Sequence, residues 1–346
     1  MEGNRKWTIE SGSLDVRVVR SISVPITYRH PLGFREKSYL HLPYGLFFSL
    51  LTARPERILS GELGMRTAIA CIYKLLRPKV KLVVWSEGTP HTDIPRGIVR
   101  KWWRKALVKF PDTFVATSSG AKELLEMYGV PESRERLSFL ASGFSPPSEA
   151  PDRNSIQRRR LLYSGSLNAR KGVRRFVDAL VAVQSTSSCS VELWFVGYGP
   201  DERYLRDLSL PRNLSFRFFG YVSFERMPEI YRECGILVLP TLADVWGLVT
   251  NEAMMYGMPV LGSRYAQSVC DLVTDGKTGW TFFPDNRAEM EQAIRAALSA
   301  SDEELRVMGK AAQERAEGLT PELFGEGLLA AFRTIDTGSI HNERLS

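Results

Sequence analysis

"GILVLPTLADVWGLVTNEAMMYGMPVLGS", residues 235–263, reads as one strand–loop–helix–strand unit. "GILVLP" (235–240) is a short apolar run stopped by proline, and "PVLGS" (259–263) is a second, stopped by glycine and serine. Strands that are apolar on both sides belong to a parallel sheet covered by helices. Residues 241–245 form the loop, and the helix is expected to begin near Trp246 and Gly247. Asp244 then stands at the helix mouth and Glu252 one to two turns inside, with Gly247 and no other charge between them. Ligands of open α/β sheets sit beyond the carboxyl ends of the strands. The first amides of a helix lack partners and favour anions. Carboxylates accept hydrogen bonds from sugar hydroxyls. The pair is therefore a candidate polyol holder. It also fits a cap-like Asp244 beside a solvated Glu252.

The same alternation extends both ways. After the Pro-, Ser- and Gly-rich stretch "ASGFSPPSEAPDRNS" (141–155), "RLLYSG" (160–165), "VELWFVG" (191–197) and "LSFRFFG" (214–220) are strands, each followed by a helical pattern. Before it stand "RILS" (57–60), "VKLVVW" (80–85) and "DTFVAT" (112–117). "AKELLEMYG" opens behind Ser118, Ser119 and Gly120, which read as a helix cap, and ends at Gly129 before Pro131. At 346 residues the chain is long enough for two cores. The prediction is an α/β protein of two Rossmann-like, doubly wound units, 1–150 and 151–319, joined at the 141–155 linker.

Composition narrows the partners. Residues 1–150 carry 23 Lys+Arg against 14 Asp+Glu; residues 151–346 carry 23 against 25. A basic first half beside a near-neutral second half predicts two units with different partners. No apolar run reaches the ~18 residues of a membrane span, and no signal-peptide pattern opens the chain. Cys71, Cys189, Cys234 and Cys270 show no paired spacing, which argues against a metal or disulfide role and for a reducing cytoplasm.

Three more elements join the carboxylates. "YSGSLNARKGV" (163–173) runs from a strand end through a glycine to Arg170, Lys171 and Gly172 before a helix. It is a diphosphate cradle or a solvated basic loop. "FVGYGP" (195–200) is a ligand turn or a plain tight turn. "FFGYVSFERMPEIYRECGILVLPT" (218–241) leads into the opening stretch. In this order and spacing the four resemble family 4 of the retaining glycosyltransferases, which have the two-domain GT-B fold. That family shows G-R-L-x-x-x-K-G, V-G-x-G-P, F-x-G-x-V with a later Tyr, and E-x(7)-E followed by E-A-M-A-x-G-x-P-V. The likeness spans 160 to about 300, includes "DLVTDGKTGWTFFPDN" (271–286), and is looser over 56–145.

The resemblance implies a retaining transferase that moves a sugar from a nucleotide diphosphate to a glycan or lipid-linked acceptor, in cell-surface polysaccharide or glycolipid synthesis. Lys171 would neutralise the diphosphate, with Arg170 as a second cation. Glu252 would accept from ribose hydroxyls and Asp244 from the transferred sugar. The implied donor set is Gly165, Ser166, Arg170, Gly197, Tyr221, Val222, Gly247, Leu248 and Val249, with Tyr221 walling the base. No metal and no cofactor is implied, because cations and helix dipoles carry the diphosphate charge. The leaving phosphate serves as base in a front-face attack. Three departures stand out. Asp244 replaces the first glutamate, Ser166 replaces an arginine, and "SLDVRVVRS" (13–21) reads as the family's second strand, so a shortened first unit is expected. The alternative is a nucleotide-sugar-binding GT-B scaffold with little or no transfer. An epimerase on the same fold fits the Asp244 and Glu252 pair less well.

In "RGIVRKWWRKALVKF" (96–110), six cations and no acid accompany Val99, Trp102, Trp103 and Phe110. At helical spacing the apolar residues gather on one side and the cations mainly on the other. That is an interfacial helix on an anionic, cytoplasmic-face membrane, or a surface helix packed on its own sheet. Nucleic acid is not expected, because the aromatics sit apart from the cations. In "WSEGTPH" (85–91), Glu87 and His91 are acceptor-side candidates, or loop residues without a role. His30, His41 and His341 have no partner legible in sequence. "LTPELFGEGLLAAFRTI" (319–335) resembles the last GT-B helix, crossing back to the first unit over 320–336. The tail after Thr337 is expected to be disordered.

Overall fold

The computed structural model describes residues 16, 18–145 and 147–337. Within them lie one hairpin and two parallel sheets. The hairpin pairs β1 (Ile22–Arg29) with β2 (Arg35–Leu42) in antiparallel register, Ile22 opposite Leu42. The first sheet has the order β3 (Arg57–Gly61), β4 (Lys81–Ser86), β5 (Thr113–Ala116), β6 (Glu135–Leu137). The second contains β7 (Arg160–Ser164), β8 (Val191–Val196), β9 (Leu214–Gly220), β10 (Ile236–Leu239), β11 (Val260–Ser263) and β12 (Gly279–Phe282), in the order β12-β11-β10-β7-β8-β9.

Each strand of the second sheet alternates its side chains between two cores, as a pleated strand must. Leu161, Tyr163, Phe195 and Val238 pack with the helices Val173–Gln184 and Arg287–Ser299. Leu162, Trp194 and Leu237 face the opposite core with Met254 and Ala312. Burying one such side chain stabilises by about 1.5–3 kcal/mol, and with both faces covered the strands read as unbroken apolar runs. The chain enters this sheet at β7, moves outward to β9, and returns to β10 on the other side of β7. The resulting switch point lies between β7 and β10, where the loop ends diverge and leave a crevice.

The first sheet differs. Its four described strands step in one direction, so double winding is complete only in the second sheet. Leu82, Val84, Phe114 and Ala116 pack under the connecting helices. Val83 and Val115 meet Leu328, Ala331 and Phe332 of the helix Pro321–Thr337, which lies on the other face. The strand expected over 13–21 is not formed where the chain is described, at 16 and 18–21, and the rest of that stretch lies outside the described residues. The tail after Thr337 and His341 also lie outside them. The β1–β2 hairpin takes a place that the sequence left unassigned.

The expected linker is no passive tether. Described residues between Leu137 and Ser155 form no helix or strand, yet Phe144 and Arg153 are buried in the second unit. The Arg153 guanidinium donates to the carbonyls of Tyr231 (2.7 Å), Tyr256 (2.8 Å) and Gly257 (3.3 Å). All four cysteines are free; Cys71 and Cys234 are buried.

Candidate active site at the switch point

A cavity of about 710 Å³ opens at the carboxyl ends of β7, β8 and β9, with Gly165, Ser166, Gly197, Tyr221, Val222 and Glu252 in its lining. The two glycine loops touch. A Cβ on Gly197 would come within 2.0 Å of the Gly165 carbonyl oxygen, and Gly197 has φ +125°. Any side chain there would push the β7 and β8 loops apart and fill the crevice. Tyr221 stands exposed at the rim.

Glu252 is the fourth residue of the helix Val249–Met255, which begins two residues later than the sequence predicts, so this carboxylate lies in the first turn. Tyr231 Oη donates to Glu252 Oε2 at 2.5 Å, and Ser142 Oγ donates to Oε1 at 3.0 Å. Burial raises the Glu252 carboxyl above its ordinary range, and these two hydrogen bonds offset only part of that. Each oxygen keeps a lone pair for a hydroxyl donor.

Asp244 has different partners. Lys171 Nζ donates to Asp244 Oδ2 within an ion pair whose side chains are mostly buried. Burial alone would raise the Asp244 carboxyl, but the Lys171 ammonium, the Arg170 guanidinium and the Trp246 N–H together hold it below its usual range. Arg170 donates through Nη1 to Ala243 O at 2.8 Å, and its Nε lies 3.3 Å from Glu36 of β2. Asn168 Oδ1 accepts from the Lys171 N–H at 3.2 Å and fixes the turn. Thus the two carboxylates of the opening stretch do not form one holder. Glu252 lines the cavity, whereas Asp244 joins the cationic loop beside it. Lys171, Arg170, Gly247, Leu248 and Val249 stand outside the cavity lining. Gly247 has φ +101°, so the turn itself requires glycine.

His91 bridges the two units. Its Nε2 lies 2.8 Å from Leu242 O, which places the proton on that nitrogen, and its ring stacks on Tyr265 at 4.2 Å. His30, for which the sequence offers no partner, stacks on Phe34 at 4.5 Å and meets His91 edge-on at 5.2 Å. Burial lowers the His30 pKa. Glu87 lies at the end of β4. Its N–H donates to Glu62 Oε1 at 2.7 Å, and burial followed by the Glu62 charge pushes its carboxyl up to about 7.

The helix Ile98–Leu107 does not pack its aromatic stripe on its own sheet, the alternative reading of this segment. The apolar and cationic faces are indeed separate, but two of the cations point inward. Arg104 is buried 3.3 Å from Asp93, and Arg100 Nε donates to Asp93 at 2.7 Å. Trp102 is 67% and Val99 80% exposed. The aromatic stripe therefore faces outward because Asp93 and Glu62 draw the arginines in.

Residues 149–315 match the family model of glycosyl transferases group 1. Over this stretch, just under half of its length, the chain is similar to that family. It is 26% identical over 294 residues, 79% of its length, to the D-inositol 3-phosphate glycosyltransferase of Nocardia farcinica. It is 26% identical over 249 residues, 68% of its length, to the alpha-D-kanosaminyltransferase of Streptomyces kanamyceticus. It spans 64% of each of these relatives. The lipopolysaccharide outer core galactosyltransferase WaaB superposes with a TM-score of 0.68 at 17% identity, covering 84% of this chain and 79% of that one. Anabaena Alr3699/HepE in complex with UDP gives 0.66 at 16%, covering 86% and 83%. These likenesses establish the GT-B fold.

Three site residues, Ser142, Glu36 and Glu62, escaped the sequence reading, and Tyr231 entered it only as the later Tyr of the family pattern, without a role. Tyr231 and Ser142 grip Glu252, Glu36 meets Arg170, and Glu62 meets Glu87. Only Glu62 carried a local signal afterwards visible in the backbone, a left-handed φ of +64° on a non-glycine residue. Ser118 caps its helix as expected, accepting from the Ala121 N–H at 3.0 Å. Among the described residues no three His, Cys, Asp or Glu side chains are grouped to hold a metal ion, and no helix is long and apolar enough to cross a membrane.

Proposed function

We propose that this chain is a retaining glycosyltransferase that takes a sugar from a nucleotide diphosphate and passes it to a hydroxyl of a glycan or lipid-linked acceptor. The observation that carries this reading is Glu252, held by Tyr231 and Ser142 inside the switch-point cavity beside the Lys171 and Arg170 loop. The base lies against Tyr221 and Val222, and the ribose hydroxyls donate to Glu252. The diphosphate takes Lys171 and Arg170, drawing Lys171 from Asp244. Asp244 is then free to accept from the transferred sugar. Cations fixed before the reaction stabilise the phosphate charge that grows as the anomeric bond breaks. The acceptor proton passes to the departing phosphate oxygen, so no divalent metal is needed. The relatives named above are transferases, which favours transfer over a bare nucleotide-sugar scaffold.

The acceptor is presented from the first unit, past Glu87. The outward Trp102 and Trp103, with Lys101 and Lys109 exposed on the same helix and its flank, suit an anionic membrane surface and a peripheral enzyme of polysaccharide or glycolipid synthesis. Since the Anabaena neighbour holds UDP, uridine diphosphate is the first probe. Calorimetry on the full chain with uridine, guanosine and adenosine diphosphates should find one that binds, with and without EDTA. Binding of none sinks the donor assignment, and binding lost with EDTA sinks the metal-free part.

A further inference from the structure

The tip of the β1–β2 hairpin reaches the donor unit. Phe34, 3% exposed, packs on Leu242 and Ala243, the residues that lead into Asp244. Arg175 Nη2 donates to Leu32 O at 3.1 Å. Just past the tip, Glu36 Oε2 accepts from Tyr28 Oη at 2.6 Å, while Oε1 lies 3.3 Å from Arg170 Nε. Arg170 also gives Nη1 to Ala243 O at 2.8 Å. Two of its three nitrogens are thus engaged, and Lys171 is engaged by Asp244. Each cation of the loop carries one carboxylate. Asp244 comes from the donor unit, and Glu36 comes from the hairpin.

A guanidinium edge recognises carboxylate and phosphate with the same geometry. On the assignment of Arg170 to the donor diphosphate made above, we propose that Glu36 is a displaceable counter-anion of the donor site, an affinity-setting residue supplied by the hairpin. It occupies the Arg170 Nε edge while the site is empty and gives way to a diphosphate oxygen. Tyr28 keeps the carboxylate aimed, and the Phe34 anchor keeps it within reach. A diphosphate, with its greater charge, displaces Glu36, but must first overcome an ion pair that weakens its net affinity.

Both side chains of this pair are partly exposed, at 27% and 30%. Releasing such a pair is worth about a two- to fivefold gain in affinity. The test uses the full chain and calorimetry with uridine, guanosine and adenosine diphosphates, carrying forward whichever binds the unaltered protein. Glu36→Gln should bind it about two- to fivefold tighter, a gain that misfolding cannot produce. Arg170→Gln should bind it more weakly, and in that background Glu36→Gln should lose its effect. The proposal is overturned if Glu36→Gln binds equally or more weakly while Arg170→Gln loses affinity. It is also overturned if Arg170→Gln binds normally while Lys171→Ala does not, in which case the donor reading stands without Arg170. If no diphosphate binds any of the proteins, the donor reading itself has failed and takes the hairpin with it.

Discussion

The two sheets of this molecule use charge in opposite ways. In the second, the ionisable residues of the site gather at the carboxyl edge around the switch point, where Lys171, Asp244 and Glu252 remain within reach of a ligand. In the first, one pair is hidden from solvent. Asp93 and Arg104 each keep 3% of their side-chain surface, and Tyr128 adds a hydrogen bond to Asp93 from the neighbouring helix. The apolar surface is distributed inversely. Among the described residues, 20 of the 30 exposed large hydrophobic side chains fall between Val16 and Phe110. The second unit thus gathers its site charges around the switch-point cavity. The first buries its Asp93–Arg104 pair and offers the more apolar exterior.

This contrast is broken most directly by removing a charge from each side. Asp93→Ala leaves Arg104 buried, with two guanidinium nitrogens that already lack partners. Breaking a buried pair in this way costs about 3–5 kcal/mol, and the denaturation midpoint should fall accordingly. A loss under ~1 kcal/mol would mean that Arg104 finds water or Glu62, and the first unit would not be the charge-burying half. Lys171→Ala leaves Asp244 with Arg170 and the Trp246 N–H as partners, so it should cost less stability than Asp93→Ala, and it should weaken diphosphate binding by roughly 10- to 150-fold, the worth of a charge-assisted contact of about 1.5–3 kcal/mol. Nucleoside binding should hardly change. Equal losses for nucleoside and diphosphate would point to structural damage.

The carboxylates sharpen the contrast within the second unit. Glu252→Gln should lower affinity for the bare diphosphate several-fold, since an amide cannot accept from both Tyr231 and Ser142 and still serve the ribose. Asp244→Asn should lower turnover while diphosphate inhibition stays the same or tightens, because on the reading proposed above its contact is to the sugar as charge develops and its loss frees Lys171 for the diphosphate. Wild-type turnover in Asp244→Asn would remove that residue from the chemistry.

How much of this was legible depended on sequence distance. Gly165, Gly197, Lys171 and Glu252 each lie in a strand–turn–helix unit whose pattern is local, so their place at a sheet edge could be read directly. Arg170 and Glu36 are brought together only when a hairpin folds across the cleft. That hairpin was obscured because Pro25 sits within β1, where proline argues against a strand unless the edge is free. The helix over 98–107 had its faces separated in the sequence, but hydrophobic periodicity alone left open whether the aromatic face turns outward or onto the sheet. Asp93 decides it, because a buried carboxylate needs cations more than the sheet needs two tryptophans.

The last expected effect concerns Glu87, whose carboxyl is raised to about 7 by burial and by Glu62. In the unfolded chain a glutamate titrates near ~4.3. Between these two values the folded protein binds more protons than the unfolded one, so stability falls as pH climbs from about 4.3 to 7. The contribution is complete below the unfolded value and lost above the folded one. Glu87→Gln removes the titration. Chemical denaturation of the variant at pH 5, 6, 7 and 8 should therefore show a flatter profile than the wild type, with the variant's relative advantage growing toward pH 8. The second unit supplies the control. Asp244 is held below its usual range, so its contribution is already complete at pH 5 and should leave this window unchanged. A Glu87→Gln profile parallel to the wild type would mean that the carboxyl is solvated and free of Glu62, and Glu87 would lose its claim to a place in the acceptor-side cleft.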